Sequence, residues 1–109
     1  MPDPEPKPPD ALLDRRYTVP AHVVHRAFAE ETVVLNLSTG GYHGLNRVAG
    51  RMLEVLEATG DPREAVERVL AEWDVTRERV ERDATQLCAD LLERGLIEPA
   101  ADEGKERPT

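Results

Sequence analysis

The side chains that could support chemistry in this sequence are three histidines, one cysteine and a small group of glycines. His22 and His25 are three residues apart in a segment with strand periodicity, which places them on opposite faces of a strand. They cannot bind one metal ion together, and His43 and the single Cys88 complete no known ligand spacing. We therefore expect no metal site.

Cys88 lies on the apolar stripe of a predicted helix, next to Leu87. Burial disfavours the nucleophilic thiolate, so we expect this residue to act as a small hydrophobic side chain. The glycines Gly40, Gly41 and Gly44 fit neither of the phosphate-binding patterns GxGxxG and GxxxxGK[ST]. The sequence predicts no catalytic centre and no cofactor, and we expect a protein that is not an enzyme.

The chain has 109 residues and a formal net charge of −8. Residues 17–98 contain 15 Asp and Glu against 9 Arg and no Lys. Nucleic acids and anionic membranes are bound through basic side chains, so neither partner is expected, whereas a neutral or basic polypeptide is favoured. One cysteine per chain favours the reducing cytoplasm, and no apolar run is long enough to span a membrane.

Two polar segments flank the middle of the chain. Residues 1–16 hold five of the nine prolines, and residues 99–109 are polar and hold two more. Such segments bury too little apolar surface to offset the entropy lost on ordering. We expect disordered tails over residues 1–16 and 99–109, and one folded domain over residues 17–98.

The first half of this domain has the periodicity of β-strands. We expect strands over His22–Phe28, Thr32–Leu37 and Tyr42–Leu45. Residues 29–31 form the first turn, and the second contains Gly40-Gly41, which permits the positive φ of a tight hairpin. Three strands joined by short turns make an antiparallel meander.

From Asn46 onward the apolar residues recur at helical spacing. Asn46, Asp61 and Thr76 are expected to cap three helices at their N-termini, and Gly60 and Gly95 to end the first and third. Strands followed by helices indicate an α+β domain. Three short helices beside a three-stranded antiparallel sheet are typical of a winged helix-turn-helix fold.

The segment Leu35–Asn46 resembles the PqqD-like proteins, with an aliphatic strand, a polar turn containing glycines, and Leu-Asn opening a helix. The resemblance continues through Gly60-Asp61-Pro62 and Trp73-Asp74-Val75. It ends with the Leu-x-x-x-Gly-Leu-Ile pattern of Leu91–Ile97, so it spans about residues 20–98. This family comprises recognition elements that bind the leaders of ribosomally made, post-translationally modified peptides.

The resemblance implies a winged-helix protein whose third strand accepts a precursor's leader as a further antiparallel strand. The leader's side chains would enter a groove between that strand and the third helix. The chain is similar to the stand-alone type of lasso-peptide pathways, whose partners are a leader peptidase and a cyclase. The alternative is the PqqD type, a peptide chaperone for a radical-SAM enzyme.

The expected edge strand carries the first group of predicted peptide-binding residues. It is short, follows a tight hairpin and ends the meander, so its backbone N–H and C=O groups are open to strand addition. Tyr42, His43, Gly44 and Leu45 would supply the backbone pairing, and Gly44 has no side chain to obstruct an approaching backbone. Leu45 could equally belong to the core.

The third helix carries the second group. Val80, Ala84 and Leu87 form the expected apolar floor of the groove, and Asp83 could pair with a basic leader residue, although core or solvent-facing roles remain open for all four. The expected helix residues lie on one face at helical spacing: Arg79, Val80, Asp83, Ala84 and Leu87.

Two other classes of function remain open. One is a winged-helix transcriptional regulator, whose recognition helix would be Thr76–Arg94; however, four arginines face five acidic residues there, whereas a DNA-reading helix presents net positive charge. The other is a structural subunit that stabilises a peptidase or cyclase without binding the leader itself.

Overall fold

The structure, a computed structural model, describes residues 9–100, so the outer parts of both expected tails, residues 1–8 and 101–109, lie outside the described residues. The elements are a 3-10 helix at Pro9–Asp14, β1 Tyr17–Thr18, β2 Val23–Ala27, β3 Glu31–Asn36, β4 Tyr42–Asn46, α1 Arg47–Thr59, α2 Pro62–Glu72, α3 Arg77–Glu93 and β5 Glu98–Pro99. The expected α+β order, with a three-stranded sheet followed by three helices, is confirmed.

The predicted meander is the sheet β2-β3-β4, antiparallel throughout. Val34 of the central strand pairs with His25 of β2 and with His43 of β4. Because side chains alternate between faces, Thr32, Val34 and Asn36 share the buried face of β3. On the opposite face of β3, Val33 and Leu35 are half-buried and Glu31 is exposed, so the sheet packs against the helices on one side.

The helix boundaries follow from local capping, as predicted. The side chains of Asn46, Asp61 and Thr76 each accept a hydrogen bond from a backbone N–H in the first turn of α1, α2 and α3. Gly60 ends α1 in the left-handed region, at φ 72°. Pro62 occupies the first position of α2, where its missing N–H costs no helical hydrogen bond.

One core joins the sheet to all three helices. The helix α1 approaches β3 closely at Gly50, where a Cβ would fall 2.8 Å from the Cβ of Thr32. The largest contributors to the core from the sheet and helices are Val34, Met52, Leu53, Leu56, Val66, Val69 and Leu91.

The structure differs from the expected tail at residues 9–16. Pro9–Asp14 forms a 3-10 helix that packs against α3, and Leu13 is 1% exposed. The hydroxyl of Tyr17 donates to the backbone C=O of Leu12 at 2.8 Å, and Asp14 accepts from Arg63 at 2.8 Å. The high proline content of residues 1–16 favoured a tail, because composition averages the prolines together with the few residues, such as Leu13, that pack into the core.

A second, two-stranded pairing extends the domain to residue 100. β1 pairs antiparallel with β5, and the N–H of Ala100 donates to the C=O of Arg16 at 2.9 Å. The N–H of Tyr17 donates to the C=O of Gly60, and a Cβ at Gly60 would fall 2.7 Å from the carbonyl oxygen of Tyr17. The expected boundary at residue 98 falls within β5, and the backbone pairing continues to Ala100, the last described residue.

Candidate functional site

β4 is an edge strand. Among the described strands it pairs with β3 alone. The N–H of Asn36 donates to the C=O of Gly41 at 2.9 Å, which makes this couple a hydrogen-bonded pair. Such pairs alternate along an antiparallel ladder, so the backbone groups of His43 face β3, whereas those of Tyr42 and Gly44 point to the open edge.

A cavity of about 550 Å³ lies beside the end of β4, between α1 and α3. Val80 and Met52 are each 2% exposed and form its apolar base, with the half-buried Leu87 beside them. Polar side chains of α3 form its rim. The lining residues are Asn46, Val48, Ala49, Met52, Val69, Val75, Arg79, Val80, Asp83, Gln86, Leu87 and Asp90.

A second cavity, of about 270 Å³, lies at the start of β4. Tyr42 and His43 contribute from the strand, and Arg94 contributes from the residue that follows α3. The other lining residues are Asn36, Thr39, Gly41 and Leu96. The first cavity thus lies at the end of β4, where residues of α3 line it, and the second lies at the start of β4, where Arg94 lines it; we call the two cavities together the groove.

The four predicted strand residues are placed differently from one another. Tyr42 is 79% exposed, Gly44 is exposed, and His43 is half-buried in the second cavity. Leu45 is 5% exposed and points into the core on the same face as its partner Thr32. Tyr42, His43 and Gly44 are therefore accessible, and Leu45 supports the strand from below.

Four of the five predicted helix residues come together. Arg79, Val80, Asp83 and Leu87 all line the first cavity. Ala84 does not line it, since this residue is 2% exposed and belongs to the core. Of the three residues of the expected floor, Val80 and Leu87 therefore line this cavity, and Met52 of α1 lines it beside them.

The contribution of α1 is the part that the sequence reasoning missed. Val48, Ala49 and Met52 lie at the helical spacing of an apolar stripe, which indicates core positions, but they also line the first cavity. Asn46 both ends β4 and caps α1, so the first turns of α1 must lie at the end of the edge strand. That direct connection was a usable signal. Arg94 carried no comparable signal, because it lies beyond the helical periodicity.

The rim of the first cavity carries both signs of charge. Arg79 Nε lies 3.7 Å from an Asp83 carboxylate oxygen, and both side chains are more than half exposed. Gln86 donates to the carboxylate of Asp90 at 3.1 Å. Exposed pairs of this kind contribute little to stability, so these side chains can exchange partners when a ligand arrives.

Nothing in the groove has the geometry of a catalytic centre. Burial raises the pKa of the Cys88 thiol to about 12, and this residue lines neither cavity. His25 contacts Glu57 at 2.7 Å, joining β2 to α1 away from the groove. Within residues 9–100, no three His, Cys, Asp or Glu side chains are grouped to hold a metal ion. No described helix is long and apolar enough to cross a membrane.

The sequence pattern of the family described as coenzyme PQQ synthesis protein D (PqqD) matches residues 31–97. The structure of TbiB1 in complex with the TbiA(beta) leader peptide is 36% identical, with a TM-score of 0.69, over 78% of this chain and 99% of that chain. The structure of lasso peptide synthetase B1 complexed with the leader peptide is 24% identical, with a TM-score of 0.68, over 77% and 99%. No curated protein matches the chain significantly.

Proposed function

The chain belongs to the PqqD family, and on this basis we propose that it binds the leader of a ribosomally synthesised precursor peptide by β-strand addition. The observation that carries the proposal is the open edge of β4 beside the groove. An added strand gains affinity from main-chain hydrogen bonds and specificity from side-chain pockets next to the edge. This site offers both.

The backbone pairing is supported by the register of the sheet. Tyr42 and Gly44 each present an N–H and a C=O to the open edge, while the intervening His43 is committed to β3. The leader would therefore pair with alternate residues of β4. Leu45 keeps the strand in place through its buried side chain and makes no side-chain contact with the leader.

We further propose that the protein delivers the bound leader to a leader peptidase and a cyclase of a lasso-peptide pathway. Support comes from the 36% identity to TbiB1, whose structure contains a leader peptide. In this proposal the protein itself performs no chemical step. The isolated buried thiol and the absence of a grouped ligand set in the described residues are compatible with a binding role.

The family description favours one alternative, a PqqD-type chaperone that presents a peptide to a radical-SAM enzyme. Both roles use the same edge and groove, so binding measurements do not separate them. Co-purification with the enzymes encoded beside this gene separates them. Retention of a peptidase and a cyclase supports the lasso pathway, whereas retention of a radical-SAM enzyme supports the alternative.

Gly44 allows a sharp test of strand addition. Gly44→Pro removes an N–H that faces the open edge and leaves the hydrogen bonds to β3 in place, at a position where edge strands tolerate proline. Gly44→Ala retains the N–H, and its Cβ would be in ordinary contact with Glu31 at 3.5 Å. We expect the proline variant to bind a fluorescent synthetic leader at least about tenfold more weakly, and the alanine variant to bind within about twofold of the wild type.

The peptide for this experiment is the leader of the precursor encoded beside the gene, titrated by fluorescence anisotropy. Circular dichroism of both variants must match the wild type. Undiminished binding by a folded Gly44→Pro protein would contradict pairing at this edge. Failure of the wild type to bind the leader at all would contradict the function itself.

A further inference from the structure

The two ends of the groove differ in the sign of their net charge. Asp83 and Asp90 line the first cavity together with Arg79, beside the end of β4 at Asn46, so two acidic side chains outnumber one basic side chain there. Arg94 lines the second cavity, beside the start of β4 at Tyr42. The charge therefore changes sign along the path that an added strand would follow.

Arg94 is available to a ligand, in contrast to Arg77 and Arg79 of α3. Its side chain is exposed, and its guanidinium has no hydrogen-bond or ion-pair partner among residues 9–100. By contrast, Arg77 is bound to Glu67 at 2.6 Å, and Arg79 lies beside Asp83. A guanidinium is well suited to pair with a carboxylate because its N–H groups match the two oxygens.

The direction of the strand determines which part of the peptide meets which charge. β4 runs from Tyr42 to Asn46, so an antiparallel added strand begins near Asn46 and ends near Tyr42. The N-terminal half of the bound segment then lies beside Asp83 and Asp90, and its C-terminal half lies beside Arg94. This step rests on the proposed function.

We propose that Arg94 selects an acidic side chain in the C-terminal half of the bound leader, and that Asp83 and Asp90 select a basic side chain upstream of it. Asp83 and Arg94 are separated by 11 positions along α3. At about 1.5 Å per residue this is about 16 Å, which an extended strand covers in about five residues. The recognised segment is thus a strand with a basic residue followed about five positions later by an acidic one.

A displayed library of random 16-residue peptides tests the proposal without knowledge of the natural leader. The library is selected against the wild type, Arg94→Glu and Arg82→Glu, followed by sequencing of the enriched peptides. Arg82 is the matched control, since it is an exposed arginine of α3 that lines neither cavity. We expect the wild type and Arg82→Glu to enrich Asp or Glu at one position, and Arg94→Glu to enrich Lys or Arg there.

A charge-swap measurement on one enriched peptide shows how much the charge at Arg94 contributes to the binding affinity. Changing its acidic residue to Lys should weaken binding to the wild type by about three- to tenfold, and Arg94→Glu should recover most of that loss. Asp83→Lys should remove the upstream preference for a basic residue and leave the acidic preference intact.

The outcomes separate the two proposals. Enriched peptides with no acidic preference, or a preference that Arg94→Glu leaves unchanged, would overturn the assignment of Arg94 while leaving strand addition standing. Absence of any enriched peptide for the wild type would overturn the proposed function and this inference with it. Matching circular dichroism spectra ensure that each variant is folded.

Discussion

Gly50 shows how one residue can fix the distance between a helix and a sheet. Glycine inside an open helix costs about 1 kcal/mol relative to alanine, so Gly→Ala usually stabilises. At Gly50 an added Cβ would collide with Thr32, whose Cβ lies 2.8 Å away. We expect Gly50→Ala to lower the free energy of unfolding by about 1–3 kcal/mol in urea titrations.

Gly44→Ala is the control for that prediction, because its Cβ would meet Glu31 only at 3.5 Å on the exposed face of the sheet. Its free energy of unfolding should change by less than about 0.5 kcal/mol. A stabilised Gly50→Ala protein would contradict the close approach of α1 to β3.

Cys88 gives a prediction about pH. Burial raises the pKa of its thiol from 9.0 to about 12, so the folded protein keeps the proton in a range where the unfolded chain loses it. Stability is therefore lost as the pH rises above about 9, by about 1.4 kcal/mol per pH unit for this one group. We expect the stability difference between the wild type and Cys88→Ala to change with that slope in urea titrations from about pH 9 to about pH 11.

The same pair of proteins provides the check. Below about pH 9 the Cys88 thiol is neutral in both the folded and the unfolded protein. The stability difference between the wild type and Cys88→Ala should therefore be independent of pH in that range. A flat difference above pH 9 as well would mean that the thiol ionises equally in the folded protein, and that it is accessible to solvent.

At the residue scale, helical period limited what the sequence could predict about the groove. Val80, Ala84 and Leu87 lie on one apolar stripe, so helical periodicity alone cannot tell which of them is in the core and which lines the groove. The structure separates them because α3 packs against α2 and the 3-10 helix on one side and lines the groove on the other. The same apolar stripe contributes residues to the packed side of α3 and to the groove. Only the tertiary packing therefore places Ala84 in the core.

At the scale of elements, the N-terminal 3-10 helix is the part with the most to test. Leu13 is 1% exposed and joins the core cluster. We expect Leu13→Ala to lower the free energy of unfolding by about 2–4 kcal/mol, because it removes a buried side chain and leaves a cavity. Chemical denaturation followed by circular dichroism measures this loss.

Leu37→Ala is the matched control, since Leu37 is 59% exposed at the end of β3. This substitution should cost less than about 0.5 kcal/mol. Equal stability of Leu13→Ala and Leu37→Ala would restore the view of residues 9–16 as a tail that does not contribute to the fold.

Elements with local signals were predictable, and those that depend on distant partners were not. Asn46, Asp61 and Thr76 cap their helices through bonds to residues two or three positions away, which a single sequence displays. β1 and β5 are two residues each and exist only because they meet across the fold. No periodicity can be read from two residues, so this pairing was beyond the sequence.

At the scale of the whole molecule, the charge distribution argues against a nucleic-acid partner for the winged-helix fold. The net charge is −8. Arg77 forms a hydrogen-bonded pair with Glu67, which lowers the pKa of that carboxyl and keeps it ionised. Two of the three arginines of α3, Arg77 and Arg79, therefore lie beside acidic partners, whereas a recognition helix would present free ones.

We expect no band shift when the protein is mixed with random-sequence duplex DNA at low salt, the condition that most favours electrostatic binding. A well-known basic winged-helix protein of similar size serves as the positive control. A salt-sensitive shift by this protein would revive the hypothesis of a transcriptional regulator.

The pairing of β1 with β5 brings Arg16 and Ala100 into direct backbone contact at 2.9 Å. Residues 9–14 continue from this contact into the 3-10 helix, so the pairing of β1 with β5 ties the N-terminal segment to the segment that follows α3. Loosening of either segment removes the pairing partner of the other. The two ends of the folded unit should therefore open as one cooperative unit.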